Sequence, residues 1–200
     1  VDMEKVKESI VETIGQKVED YLDANNELPA DIDVVISRKN MINDYEYKKG
    51  VNDFLSNGYG TYIHSNGDRY VGEFKNYKKC GQGISRYLSG DKYEGLFKND
   101  TRHGRGTYTW ANGDQYIGEY VDGEMRGQGI FTWTDGDNYK GEFKNGIFNG
   151  KGVYTFSYGD KYEGGFKDGL SYGQGTYTYA DGIVEQGFWK GDLRLVRWSY

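Results

Sequence analysis

The chain has 200 residues, a net charge of −6, 31 glycines, 20 tyrosines, 9 phenylalanines and 4 tryptophans. So many rings exclude a disordered chain, and no apolar run approaches the roughly 20 residues of a transmembrane helix. A single cysteine, Cys80, excludes an internal disulfide and favours a reducing, cytoplasmic environment. Without a basic surplus, we expect no nucleic-acid partner.

The N-terminal segment, residues 1–57, holds all of the net charge. It contains 7 basic and 13 acidic residues, whereas residues 58–200 contain 18 of each. Apolar residues three or four apart predict an amphipathic helix over about residues 2–24. The helix either packs on the rest of the chain or projects to bind a partner, and the residues leave both open. Its apolar face comprises Met3, Val6, Ile10, Ile14, Val18, Tyr21 and Leu22.

The segment that follows the helix is harder to assign. Residues 24–31 end the helix, and residues 32–37 fit either a strand or a second helix. Residues 43–50 resemble half of the repeat described next, and they are suited to an edge strand or a cap. Because the chain begins with Val1 rather than Met, we expect it to be a fragment of a longer polypeptide.

A period of 23 residues governs the chain from Gly58 to residue 195. Six copies follow one another without an insertion, and repeat positions 1, 3, 10 and 15 are glycine in every copy. Positions 5, 7, 13 and 17 carry 21 aromatic residues in 24 places, with His64, Ser85 and Glu185 as the exceptions. A period of this kind predicts an array of stacked supersecondary units.

Each unit is predicted to be a β-hairpin. In the third copy, strands cover about residues 105–111 and 115–121, and Asn112-Gly113-Asp114 forms the turn. Glycines and rings alternate with polar residues, so they share a face on which the rings lie over bare glycine backbone. Sharing a face requires an odd loop length. We therefore expect a three-residue or bulged turn with Gly113 at positive φ, and a looser connection between units, such as residues 144–146.

The sixth copy departs from the pattern, because Ile183 and Glu185 replace the usual Asp and Tyr. It is interpreted as a terminal cap or as the junction to a following domain, and residues 196–200 form a short tail.

Two stretches of the repeat carry a family resemblance. They are "YKGEFKNGIFNGKGVYTFSYG" (139–159) and "YEGLFKNDTRHGRGTYTWANG" (93–113). This pattern resembles the MORN (membrane occupation and recognition nexus) repeat family. The resemblance implies a mainly β fold, an elongated single-layer antiparallel sheet of tandem hairpins with a groove, and no catalytic residues. It also implies scaffold roles that involve dimerisation or the binding of partner helices and peptides, at cytoskeletal or membrane sites. The same repeats serve as accessory modules in lipid kinases and a histone methyltransferase.

Searches for other chemistry lead to no site. His64, His103 and Cys80 are not at zinc-ligand spacing, and Lys140 stands where a calcium loop that starts at Asp135 requires glycine. The Gly-x-Gly pairs follow the 23-residue period rather than a phosphate-binding pattern. We therefore expect no metal, no cofactor and no enzymatic activity.

Two sets of residues are candidates for binding. Two rows of rings are predicted to form a groove for a helix or extended peptide, either the chain's own N-terminal helix or a protein partner. A column of lysines at repeat position 18 either contacts phosphoinositides or forms a solvated edge. The ring rows are Tyr87, Trp110, Trp133, Phe156 and Tyr179, and Tyr70, Tyr93, Tyr116, Tyr139 and Tyr162. The lysine column is Lys75, Lys98, Lys144, Lys167 and Lys190.

Together these patterns predict a non-enzymatic interaction scaffold, preceded by a helical segment. Three alternatives stay open: a regulatory or targeting module of a larger enzyme such as a kinase, a phosphoinositide-binding module, and a homodimer formed through the outermost repeats.

Overall fold

The computed structural model describes residues 57–191, apart from residue 65, and the backbone of a two-residue strand at residues 36–37. The chain divides into two compact units, residues 1–88 and 89–200. Within each unit, every described strand pairs antiparallel with its sequence neighbours, which confirms a mainly β fold of tandem hairpins. The predicted helix over residues 2–24, the half repeat at 43–50 and the tail at 196–200 lie outside the described residues.

The first unit contains four described strands. They are β1 (Ile36–Ser37), β2 (Asn57–Ile63), β3 (Arg69–Lys75) and β4 (Lys78–Arg86). Ile36 lies opposite Thr61 and Ser37 opposite Gly60. Of the residues 32–37, for which strand and helix were both left open, Ile36–Ser37 form a strand, and residues 32–35 lie outside the described residues.

The second unit contains nine described strands. They are β5 (Lys92–Lys98), β6 (Thr101–Thr109), β7 (Gln115–Val121), β8 (Glu124–Thr132), β9 (Asn138–Lys144), β10 (Ile147–Thr155), β11 (Lys161–Lys167), β12 (Leu170–Thr178) and β13 (Val184–Lys190). The predicted second strand of the third copy is confirmed, because β7 covers residues 115–121. Its predicted first strand was too short, because β6 begins at Thr101 rather than near residue 105.

Three-residue loops close the hairpins within each repeat. The Trp110 amide donates to the Asp114 carbonyl over 2.9 Å, and the Gly113 amide donates to the Trp110 carbonyl over 2.9 Å. Gly113 has a φ of 93°, which glycine adopts without steric cost. The predicted odd-length loop with Gly113 at positive φ is therefore confirmed.

Two-residue turns join one repeat to the next, so the prediction of a looser connection is wrong. Lys144 lies opposite Ile147, which leaves only Asn145 and Gly146 in the turn, with φ values of 53° and 77°. Positive φ at both central residues defines the type I′ turn, whose twist matches that of the flanking strands. Asn99 and Asp100 adopt the same conformation without a glycine, at 50° and 69°.

The glycines and rings share one face of the hairpins, as predicted. Gly106 lies opposite Gly118 and Tyr108 opposite Tyr116. We call this side the ring face. The other side, on which Thr107 lies opposite Ile117, is the opposite face.

Candidate interaction surface

Buried tyrosines on the ring face form the core of the sheet. Tyr139 is fully buried, and its hydroxyl donates to the Glu142 carbonyl over 3.0 Å. A Cβ added to Gly152 would lie 2.5 Å from Cε2 of the Tyr139 ring, so glycine is required where the ring lies on the backbone. The same holds in each repeat that carries this tyrosine; the row is Tyr70, Tyr93, Tyr116, Tyr139 and Tyr162, all with zero exposure.

This burial corrects half of the predicted groove. The five tyrosines were expected to form one of two rows of partner-binding rings. Their side chains are covered by the protein itself and bonded to its backbone, so a partner does not reach them in this arrangement. They are core residues, and the rings that remain accessible on this face are others.

In four repeats of the second unit, the aspartate that directly follows the three-residue loop bonds that end of the hairpin to the next hairpin. The Asp137 carboxylate accepts hydrogen bonds from the Tyr154 hydroxyl over 2.7 Å and from the Ser157 amide over 2.8 Å. Because it bonds both a side chain and a backbone amide, it holds neighbouring loops in a defined position. We call these residues the aspartate staples; in the second unit they are Asp91, Asp114, Asp137 and Asp160.

Rings next to these loops form a continuous line across the second unit. Ring centroids lie 4.9 Å apart for Trp110 and Phe131, 4.5 Å for Phe131 and Trp133, and 5.3 Å for Trp133 and Tyr154. Trp110 and Trp133 are half-buried, whereas Phe131 is 9% exposed and Tyr154 is 6% exposed. The line therefore offers an accessible indole at each of two successive hairpins.

The next hairpin offers a residue that the sequence did not predict. Phe156 was expected to be an anchor, but it is only 2% exposed. Tyr158 stacks on it with centroids 5.2 Å apart and an interplanar angle of 23°, and Tyr158 itself is 60% exposed. Tyr158 lies in the loop, where strand alternation does not apply. The sequence did offer one signal for Tyr158: it is aromatic at a repeat position that Asn112 and Asp135 hold in other copies.

Tyr179 completes the set at the last loop of the second unit. It is 36% exposed and its ring lies 4.7 Å from that of Tyr177. Desolvation and the carboxylates of Glu185, Asp160 and Asp181 raise the pKa of its hydroxyl. We call the four accessible rings the aromatic strip; they are Trp110, Trp133, Tyr158 and Tyr179. The remaining predicted ring, Tyr87, is half-buried in the first unit, and its role in binding stays a prediction.

Arg102 is a ring-face residue that sequence reasoning missed. Its guanidinium lies 5.8, 5.0 and 5.3 Å from the ring centroids of Tyr93, Tyr108 and Tyr120. Its Nη2 also donates to the Gly123 carbonyl over 2.9 Å. The equivalent positions in later repeats hold Met125, Phe148 and Ser171. Because the residue type varies from repeat to repeat, the sequence pattern did not indicate that this position lies on the ring face.

The lysine column follows the parity of the opposite face. The side chains of Lys98, Lys144, Lys167 and Lys190 are exposed in the second unit, as is Lys75 in the first. The Lys167 ammonium lies 5.2 Å from the Tyr172 ring centroid. Contact with phosphoinositides stays a prediction.

The remaining candidates for chemistry show no assembled site in the part of the chain that is described. No group of three or more His, Cys, Asp or Glu side chains there is arranged to hold a metal ion. Burial, followed by the nearby Glu73 carboxylate, raises the pKa of the Cys80 thiol, which lowers its reactivity. Within the same residues, no helix has the length and apolar character needed to cross a bilayer.

Comparison with protein families identifies the repeat. The MORN repeat model matches six successive spans, residues 55–69, 70–92, 93–115, 116–138, 139–161 and 162–184. The chain belongs to the MORN repeat family. The last five matches each begin at a buried core tyrosine, so the family boundary falls half a repeat away from the one set at Gly58.

Other comparisons add little to the MORN assignment. No curated protein shows a significant match to the sequence. Among solved structures, the TCP domain of SAS-4 (dCPAP) from Drosophila melanogaster, in complex with a proline-rich motif of Ana2 (dSTIL), is similar. It is 16% identical, covers 66% of this chain and 72% of its own, and has a TM-score of 0.45. At that TM-score the likeness carries no argument about function.

Proposed function

We propose that this MORN protein is a non-enzymatic protein-interaction module that binds a helix or an extended segment of a partner on its ring face. The observation that supports this most directly is the aromatic strip, which provides one accessible ring at each of four successive loops. Aromatic side chains with an apolar body and a polar tip are typical anchors of protein interfaces.

The strip is separate from the core that holds the sheet together. The core tyrosines already cover the glycines, and they have no exposed surface. The strip rings lie beyond them at the loop end of the strands, where part of their apolar surface faces water. Burial of that surface against a partner is favourable by about 25 cal/mol per Å².

The polar groups beside the strip favour binding over catalysis. The Asp137 and Asp160 carboxylates each accept one hydrogen bond from a tyrosine hydroxyl and one from a backbone amide. Both carboxylates are also buried, with exposures of 8% and 9%, so they hold the loops and have little surface toward a substrate, which a general base must reach.

Paired substitutions in the full-length protein test this function. Trp110→Ala with Trp133→Ala removes two strip rings, whereas Ile117→Ala with Ile130→Ala removes two side chains of the opposite face that are 49% and 38% exposed. The tagged variants are compared by quantitative affinity capture from cells, with circular dichroism to verify folding. We expect a reproducible set of proteins that the isoleucine variant retains and the tryptophan variant loses.

If both folded variants retain the same proteins, the aromatic strip is not the binding surface.

The predicted N-terminal helix is the candidate occupant within the chain itself. A catalytic domain in the same gene would instead favour the alternative of a regulatory module, which the full coding sequence tests.

A further inference from the structure

We propose that the aromatic strip binds a proline-rich segment that carries Lys or Arg and lies in the polyproline II conformation across the hairpins. This inference rests on the proposed function and names the conformation and charge of the partner. Three features support it: the spacing of the rings, the side-chain nature of the surface, and the charge of the adjoining loops.

The spacing of the strip matches the pitch of polyproline II. Trp110, Trp133 and Tyr179 occupy the same repeat position in the first, second and fourth of four successive hairpins, and two strands about 4.8 Å apart give a step of about 9.6 Å per hairpin. In the third hairpin that position is held by Phe156, on which Tyr158 stacks with centroids 5.2 Å apart. A polyproline II helix rises about 3.1 Å per residue with three residues per turn, which gives about 9.3 Å. Over the three steps from Trp110 to Tyr179 the accumulated difference is about 1 Å.

Other backbone conformations fit this spacing less well. The nearest α-helical repeat is seven residues, or about 10.5 Å, which drifts by nearly 3 Å over the same three steps. A β-strand returns to the same face about every 6.6 Å, so its side chains fall between the rings. A strand partner also requires a free backbone edge, whereas the strip consists of side chains.

The ring surface suits proline in particular. Trp110, Trp133 and Tyr158 present indole and phenol rings on successive hairpins, joined by the less exposed rings between them. Proline-rich segments dock on aromatic-lined surfaces because their conformation is already ordered. Proline also lacks a backbone amide donor. It therefore has no N–H donor to desolvate when it covers a ring.

The loops beside the strip are acidic. Residues 110–114, 133–137, 156–160 and 179–183 contain five aspartates and no Lys or Arg. Asp114, Asp137 and Asp160 are buried and bonded to the next hairpin, whereas Asp135 and Asp181 are exposed and can face a partner. Glu185, which is exposed, contributes to the raised pKa of Tyr179 and so adds a carboxylate at one end of the strip. This single sign of charge is complementary to Lys or Arg in the partner, and it disfavours an acidic segment.

Titration of the full-length protein with synthetic peptides tests the inference. The probe is a 12-residue peptide of four Pro-Pro-Lys units, followed by tryptophan fluorescence and calorimetry. Four Gly-Gly-Lys units keep the charge without the stiff backbone, and four Pro-Pro-Glu units reverse the charge. We expect the Pro-Pro-Lys peptide to bind, with affinity that falls as salt is raised, and both control peptides to bind at least about ten-fold more weakly.

Variants locate the site. Trp133→Ala, and separately Tyr179→Ala, should weaken binding of the Pro-Pro-Lys peptide by about ten-fold, whereas Ile130→Ala on the opposite face should leave it within two-fold. Tyr179 is at the end of the ring line, so its removal keeps the test valid if Trp133→Ala does not fold. Equal binding by all three variants would overturn the assignment to the strip.

A separate outcome distinguishes this inference from the proposed function. If a basic amphipathic helical peptide binds in a Trp133-dependent manner and the Pro-Pro-Lys peptide does not, the polyproline conformation is wrong and the interaction surface stands. If cellular partners are lost with Trp110 and Trp133 but no Pro-Pro-Lys binding occurs, the same conclusion applies. Binding of the Gly-Gly-Lys peptide as tightly as the Pro-Pro-Lys peptide would also overturn the proposal.

Discussion

At the scale of single residues, the central contact is a tyrosine ring lying on two facing glycines. Gly141 and Gly152 lie opposite each other, and the Tyr139 ring occupies the space where their side chains would be. The ring thereby gains contacts with two strands, and its hydroxyl reaches a backbone carbonyl. High glycine and high aromatic content are therefore two parts of one packing arrangement.

Substitution of a glycine on which a tyrosine ring lies tests this contact. In Gly152→Ala, the new Cβ would lie 2.5 Å from Tyr139 Cε2, so the ring must move. We expect the free energy of unfolding to fall by about 3 kcal/mol, measured by urea denaturation.

Gly187→Ala is the matched control. It stands at repeat position 15, as Gly141 does, but an added Cβ there meets nothing within 4 Å. We expect a change within about 0.5 kcal/mol. Equal losses for the two variants would show that backbone flexibility, rather than the ring, explains the cost at Gly152.

At the scale of elements, the two kinds of connection differ in their demands on sequence. The three-residue loops place glycine at the single residue of the loop with positive φ, as at Gly113. The two-residue turns need positive φ twice, and not every turn supplies glycine. Tyr77 has a φ of 62° and Asn76 a φ of 51° in the turn between β3 and β4. A tyrosine in the left-handed region carries a steric cost of about 1–2 kcal/mol.

Tyr77→Gly should therefore stabilise the protein. Tyr77 is 61% exposed, so the lost packing is small, while the relief of steric cost exceeds the added entropy of the unfolded chain. We expect a gain of about 0.5–1 kcal/mol, measured as a higher midpoint of thermal unfolding. Tyr77→Ala removes the same ring without relieving the backbone, and it should give no gain. A gain of similar size from alanine would contradict this reasoning.

These elements also show where sequence reasoning succeeds. Alternation and Gly113 were enough to predict the hairpins, the shared face and the odd loop, because those depend on neighbouring residues. The two-residue turns were missed although Asn145-Gly146 carries the Asn-Gly signature, because Asn112-Gly113 carries the same dipeptide in a three-residue loop, so the dipeptide alone does not set the loop length. Burial of Phe156 was missed because it depends on Tyr158 in a loop. The bond from Asp137 to Ser157 joins two hairpins, and nothing local in the sequence indicates it.

At the scale of the whole molecule, stability depends on rings that must stay neutral. Burial raises the pKa of Tyr116, Tyr120 and Tyr139 above the ordinary tyrosine value of 10.0. These hydroxyls therefore keep their protons in the folded state at a pH where the unfolded chain has lost them. Stability from this source is fully present below about pH 9, and it declines as the pH rises beyond 10 toward the raised values.

Alkaline denaturation should accordingly be steep. Each buried tyrosine contributes about 1.4 kcal/mol of lost stability per pH unit in that window. Urea unfolding midpoints measured from about pH 8 to pH 11, together with phenolate absorbance, give the slope. Tyr116→Phe removes one ionisable group and should make the slope shallower by about that amount. A midpoint that stays constant to pH 11 would mean that these rings ionise without unfolding.

The aspartate staples have a consequence for how such a chain changes length. Asp137 bonds Tyr154 and Ser157, 17 and 20 residues ahead, and Asp160 bonds Tyr177 and Ala180 at the same separations. Unequal recombination that deletes or duplicates 23 residues therefore presents each carboxylate with an equivalent amide across the new junction. An insertion of another length within that interval separates a carboxylate from its donors. Repeats should therefore be gained or lost as whole 23-residue units. The aromatic strip would become longer or shorter by one ring with each unit.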